Sequence, residues 1–67
     1  MDEEAKTDIS RSISEIINDI NQASEINKEG RSQLLTKVVW LGNRLITAGV
    51  IDKVHHERIV DIEHRKD

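Results

Sequence analysis

The isoleucines in the first third of the chain constrain its fold most. Ile9, Ile13, Ile16 and Ile20, followed by Ala23, recur at alternating spacings of four and three. At roughly 100° per residue such a series stays on one narrow stripe of an α-helix, whereas in a strand it would scatter over both faces. Ile17 lies at the stripe's edge, and Ser, Asn, Asp, Glu and Arg fill the rest of the surface. The spacing predicts a helix over about 8–27. Thr7 or Asp8 is its candidate N-cap, and the acids at 2, 3, 4 and 8 sit near the positive end of its dipole. Isoleucine has only fair helix propensity because its β-branch restricts χ1, so this helix depends on whatever buries the stripe. The pattern lasts about two heptads, which favours an ordinary packed helix over a long coiled coil.

Two further helical segments follow, with no proline to interrupt them. In the break Asn27-Lys28-Glu29-Gly30, Gly30 can close the first helix in a left-handed conformation. Alternatively, Asn27 caps the second helix and Gly30 lies within its first turn. The second helix is expected over 31–48, with Gly49 as its stop. Its apolar arc of Leu34, Leu35, Val38, Val39, Leu41, Leu45 and Ile46 spans roughly 160°, wider than one neighbour requires. Gly42 sits in the middle of that helix at a cost of about 1 kcal/mol; either a backbone approaches closely there or the glycine is merely tolerated. Asp52 is the candidate N-cap of a third helix over 52–64, whose weaker stripe is Ile51, His55, Ile59 and Ile62. Arg65 and Lys66 suit the negative end of its dipole. The expected fold is all-α: one domain over 1–67, an antiparallel helical hairpin plus a short third helix.

Such a chain has little to build a core from. Among 67 residues there is one Trp, and Phe, Tyr and Cys are absent, so the core is aliphatic and disulfides and thiolate metal sites are excluded. A core of this size rarely supplies more than ~3–5 kcal/mol, and small chains commonly make up the deficit by associating. A homodimeric helical bundle is therefore expected, joined through Ile9, Ile13, Ile16 and Ile20 of the first helix and Leu34, Val38, Leu41 and Leu45 of the second.

Charge is divided along the chain. Residues 1–30 carry eight acids and three bases; residues 31–67 carry seven bases and five acids. That asymmetry suits antiparallel segments, or two chains, that attract one another. The net charge of −3 is a poor start for a nucleic-acid binder. The N-terminus Met-Asp-Glu-Glu is unlike a secretory signal, and the longest apolar run, Val38 to Leu41, is far short of the ~20 residues that span a bilayer. A cytoplasmic location with no membrane association is expected.

Trp40 is the most informative single residue. On the helical wheel it lies roughly opposite the Leu/Val arc, among Gln33, Thr36, Lys37, Asn43, Arg44 and Thr47. An aromatic ringed by basic and polar groups has the composition of an interface hot spot, which makes Trp40, Lys37, Arg44 and Gln33 the candidate partner-binding residues. The competing expectation is burial beneath the third helix or a second copy. The second segment carries Arg31, Lys37 and Arg44 and no acid between Gly30 and Ile51. These bases suit an acidic partner, or Glu15, Asp19, Glu25 and Glu29 of the chain's own first helix.

Other chemistries find little to work with. His55 and His56 are adjacent, so they point about 100° apart and do not readily ligate one ion together. His55-His56-Glu57-Arg58-Ile59 lacks the final histidine of the zincin motif. His55 falls in the third stripe and reads as a packed residue. The serines at 10, 12, 14, 24 and 32 are assigned to polar faces or caps. There is no Cys nucleophile, Gly-x-Ser-x-Gly elbow or phosphate-cradling glycine loop, so neither enzymatic activity nor any cofactor or metal is expected. The second helix, Gly49 and the third helix resemble a helix-turn-helix in outline. However, Leu45 stands where a small residue belongs, and the would-be recognition helix, Lys53 to His64, mixes two bases with three acids. Binding to nucleic acid is disfavoured. The leading expectation is a small non-enzymatic regulatory or adaptor protein, homodimeric, that binds another protein. The alternatives are a nucleic-acid-binding regulator using the basic side of helices 2 and 3, and a pure oligomerisation module.

Overall fold

In a computed structural model, which describes residues 2–64 with side chains through Asp61, the chain forms three α-helices. These are α1 (Glu3–Gln22), α2 (Lys28–Thr47) and α3 (Lys53–His64). There is no strand among the described residues. The expected positions of Arg65 and Lys66, and of the Ile62 and His64 side chains, lie outside them.

Helix α1 begins five residues before its expected start and ends five before its expected end. Its N-cap is Asp2, not Thr7 or Asp8: the Asp2 carboxylate accepts a hydrogen bond from the Ala5 N–H at 2.8 Å, and Glu3 and Glu4 occupy the first turn. A carboxylate at this position both satisfies a free amide and complements the dipole. The other end of α1 has an unusual terminator. Arg31, on α2, donates from Nε to the Ile20 carbonyl (3.2 Å) and from Nη2 to those of Ala23 (2.8 Å) and Ile26 (3.1 Å). One guanidinium thus ties the last turn of α1 to the connecting turn through three carbonyls and fixes the hairpin in the same stroke; the Ile20 carbonyl also receives a long bond from the Ala23 N–H, at 3.4 Å.

Asn27 caps α2 by accepting from the Gly30 N–H at 2.8 Å, so Gly30 lies inside that helix's first turn and does not close α1. At the far end of α2, Gly49 has φ +77°. The Val50 N–H bonds to the Leu45 carbonyl at 2.9 Å, and the Gly49 N–H to that of Ile46 at 3.0 Å. These two bonds define a Schellman ending, which needs the left-handed conformation that glycine adopts at least cost. Asp52 then precedes α3. Its carbonyl accepts from the His56 N–H at 2.9 Å, and its carboxylate lies 3.2 Å from Lys6 Nζ on α1.

Helix α2 runs antiparallel to α1, and α3 returns in the same sense as α1: Lys6 meets Asp52, Thr7 meets His55, and Ser10 meets His56. Helix α1 is the central element, packing on both of the others, while α2 and α3 touch each other little. The result is a slab of 37 × 27 × 15 Å. Its accessible surface is 5155 Å², where a compact monomer of this mass exposes roughly 4300 Å². The only aliphatic side chains that are buried among the described residues are Ile13 and Ile51.

Candidate functional site

The interior holds a polar knot where all three helices meet. Ser10 and Ser14, one turn apart on α1, are buried completely, and His56 of α3 is 8 % exposed. His56 Nδ1 and Ser10 Oγ share a hydrogen bond of 2.8 Å. The opposite ring nitrogen faces Gly42 of α2 so closely that a Cβ there would stand 3.1 Å from it. Gly42 is therefore not merely tolerated, but what approaches it is a side chain and not the expected backbone: it makes room for an imidazole. Burial pushes the His56 imidazole below its ordinary pKa, and the neighbouring Glu57 carboxylate acts the other way. A hollow of about 130 Å³ adjoins the ring, bounded by Ile13, Ile17, Val38, Asn43 and Val60.

This knot corrects one expectation: Ser10 and Ser14 do not lie on a polar outer face but line the seam between α1 and its neighbours. His55 is half-buried, in keeping with its place in the third stripe, and lies 2.9 Å from Thr7 Oγ1; His56, which the stripe does not include, is buried more deeply. Two signals for His56 were present in the sequence. One was the serine pair at i and i+4, and the other was a glycine in mid-helix, together the imprint of a bulky polar neighbour. His55 and His56 each have their own hydroxyl partner on α1, and no three His, Asp or Glu side chains among the described residues gather as a metal site.

The buried seam of α1 has a further consequence. On the helical wheel its centre, near Ser10 and Ile17, is roughly 80° from the centre of the isoleucine stripe. Of that stripe only Ile13 is buried in the chain's own core; Ile9 and Ile20 are half-buried and Ile16 is 43 % exposed. On α2, Val38 and Leu45 are half-buried at the hairpin seam, and Leu34 and Leu41 are exposed, Leu41 at 46 %. Turning around α1 from α3 past α2 leads to Ile9 and Ile16. Turning around α2 from α3 past α1 leads to Leu34 and Leu41. The hairpin thus carries a two-helix aliphatic face on the side away from α3.

Trp40 lies beyond the edge of this face and is 57 % exposed; α3 does not fold over it. A shallow hollow of about 240 Å³ beside the indole is lined by Ser32, Gln33, Thr36, Lys37 and Trp40. Arg44 lies outside that set. The bases of α2 make no ion pair with the acids of α1 among the described residues: Arg31 is held by backbone carbonyls, and Lys6 of α1 pairs with Glu3 and Asp52. No helix among the described residues is long and apolar enough to cross a membrane. Comparison with protein-family models, with curated proteins and with solved structures gives no match for the chain.

Proposed function

We propose that this chain is a small non-enzymatic regulatory or adaptor protein that acts by protein–protein interaction as a homodimer. The hairpins would pair through the aliphatic face of α1 and α2 to form a four-helix core, leaving the Trp40 rim with Gln33 as the surface offered to another protein. The observation that carries this reading is the bare aliphatic face itself. Ile16, Leu34 and Leu41 are exposed on one side of a slab 15 Å thick. The surface in excess of a compact monomer is roughly 800 Å², about what one partner contributes to a standard interface. An indole beside polar groups in a shallow hollow is the kind of anchor on which protein interfaces concentrate their energy.

Sedimentation equilibrium at micromolar concentration tests the pairing. The dimer mass is expected for the wild-type chain, and the monomer mass for Ile16→Asp/Leu41→Asp, in which both carboxylates would have to be desolvated on pairing. A wild-type chain that sediments as a folded monomer defeats the proposal. Trp40→Ala then separates the surfaces: it should leave the dimer intact, and loss of the dimer would make the indole a subunit contact.

A further inference from the structure

If the hairpins pair as proposed above, on which reading this inference rests, two symmetric arrangements are open to them. With a two-fold axis along the helices, α1 of each copy lies against α2 of the other. With the axis across the helices and within the interface, α1 meets α1 and α2 meets α2. The charges bordering the aliphatic face distinguish the two. Along the outer border of α1 run Asp8, Glu15 and Asp19, and along that of α2 run Lys37 and Arg44. All five are solvent-exposed, and within one copy none of them forms an ion pair.

The register of the hairpin sets their heights. Ser10 and Gly42 stand on either side of the His56 ring and so lie at about the same level. Counting one residue down α2 for each residue up α1 from that level brings Lys37 level with Glu15 and Arg44 level with Asp8. Within one copy these pairs point away from each other across the hairpin. An axis along the helices preserves height and turns α2 of the second copy toward the border of α1. We infer that two copies of this chain associate about an axis parallel to their helices, α1 against α2 of the partner, with Lys37 opposite Glu15 and Arg44 opposite Asp8 at each of two equivalent edges. The alternative arrangement sets Asp8, Glu15 and Asp19 against their own copies, and Lys37 and Arg44 against theirs, and like charges there oppose association. The basic α2 and acidic α1 are thus matched between chains and not within one.

Charge reversal tests this. Lys37→Glu/Arg44→Glu alters only exposed positions, so the helical circular dichroism should persist while dimerisation weakens at least ~10-fold at low ionic strength and less at high salt. Adding Asp8→Lys/Glu15→Lys to the same chain should restore the wild-type constant. Zero-length carbodiimide coupling of a mixture of ¹⁴N- and ¹⁵N-labelled wild-type protein should join Lys37 to Glu15 between chains. A wild-type dimer that is indifferent to the reversal, or that gives no interchain Lys37 link, overturns this arrangement and leaves the dimer itself standing. A monomeric wild-type chain overturns both.

Discussion

Replacing Gly42 by Ala tests whether the polar knot is as tight as its geometry implies. In an exposed helix interior the change stabilises by about 1 kcal/mol, because alanine restricts the unfolded backbone. Here the new methyl group would stand 3.1 Å from His56 Nε2, so the ring must retreat by a few tenths of an ångström. Its freedom to do so is limited by the 2.8 Å bond from Nδ1 to the fully buried Ser10. Stretching or losing a buried hydrogen bond costs about 1–3 kcal/mol, which cancels or outweighs the propensity gain. Gly42→Ala is therefore expected to be neutral or destabilising by up to about 2 kcal/mol. In a His56→Ala background the obstruction is gone, and the same substitution should gain its usual ~1 kcal/mol. The resulting coupling of about 1–3 kcal/mol is what contacting residues show in double-mutant cycles. Urea melts followed by circular dichroism at pH 7.5 and one fixed protein concentration give the four stabilities, with sucrose added throughout to keep the weakest variant folded. If Gly42→Ala stabilises the protein equally with and without the imidazole, His56 does not press on α2 and the knot is loose.

Three further outcomes follow from the same geometry. Because burial lowers the folded-state pKa of His56, the unfolded chain binds the proton more readily. Stability is thus fully present above the unfolded imidazole's ordinary value of about 6.5 and is lost as pH falls below it; melting temperatures at pH 7.5 and 5.5 should diverge, and His56→Gln should flatten that difference. Arg31→Ala removes three hydrogen bonds to the end of α1 and the turn that follows it and should cost about 1–3 kcal/mol, with Arg31→Lys recovering little because an ammonium lacks the planar fork; denaturant midpoints report both. Trp40, 57 % exposed, should emit near the wavelength of indole in water, and a strongly blue-shifted maximum would place it under another surface.

The helices themselves were legible because their signals are local. The four-three spacing, the absence of proline, Asn27 and Gly49 each act within a turn or two of chain, whereas the Asp52 carboxylate reaches back to Lys6 on α1. The start of α1 was missed because two acceptable caps, Thr7 and Asp8, lay nearer the isoleucines than Asp2, and a helix extends past an internal Thr or Asp when an earlier carboxylate closes it better. Its end was missed because the terminator, Arg31, sits on the next helix, and a long-range contact leaves no periodic trace. The wheel alone sets Trp40 opposite the Leu/Val arc but does not say whether another helix covers it; α3 leaves it 57 % exposed. His56 escaped notice because its partners, Ser10 and Gly42, are small and read singly as polar surface and tolerated flexibility. Only when taken together do they outline the volume of an imidazole.

Periodicity reports which side of a helix avoids water, but not which surface covers it, and α1 separates the two. Its own chain packs against the side bearing Ser10, Ser14 and Thr7, each of the first and last joined to a histidine of α3. A hydroxyl–imidazole seam of this kind contributes modestly to net stability, because each bond replaces one to water, yet it is demanding in geometry. The stripe rich in hydrophobic free energy, Ile9, Ile16 and Ile20, is left at the margin. Were this chain built to stand alone, rotating α1 by about a quarter turn would bury the isoleucines and expose the serines, at a gain of roughly 1.5–3 kcal/mol for each side chain fully covered. The arrangement instead uses directional polar contacts to fix how three helices meet and keeps the non-directional, area-driven surface outside. That division is the one the proposed pairing would use, a second copy covering the isoleucines that this chain leaves at its margin.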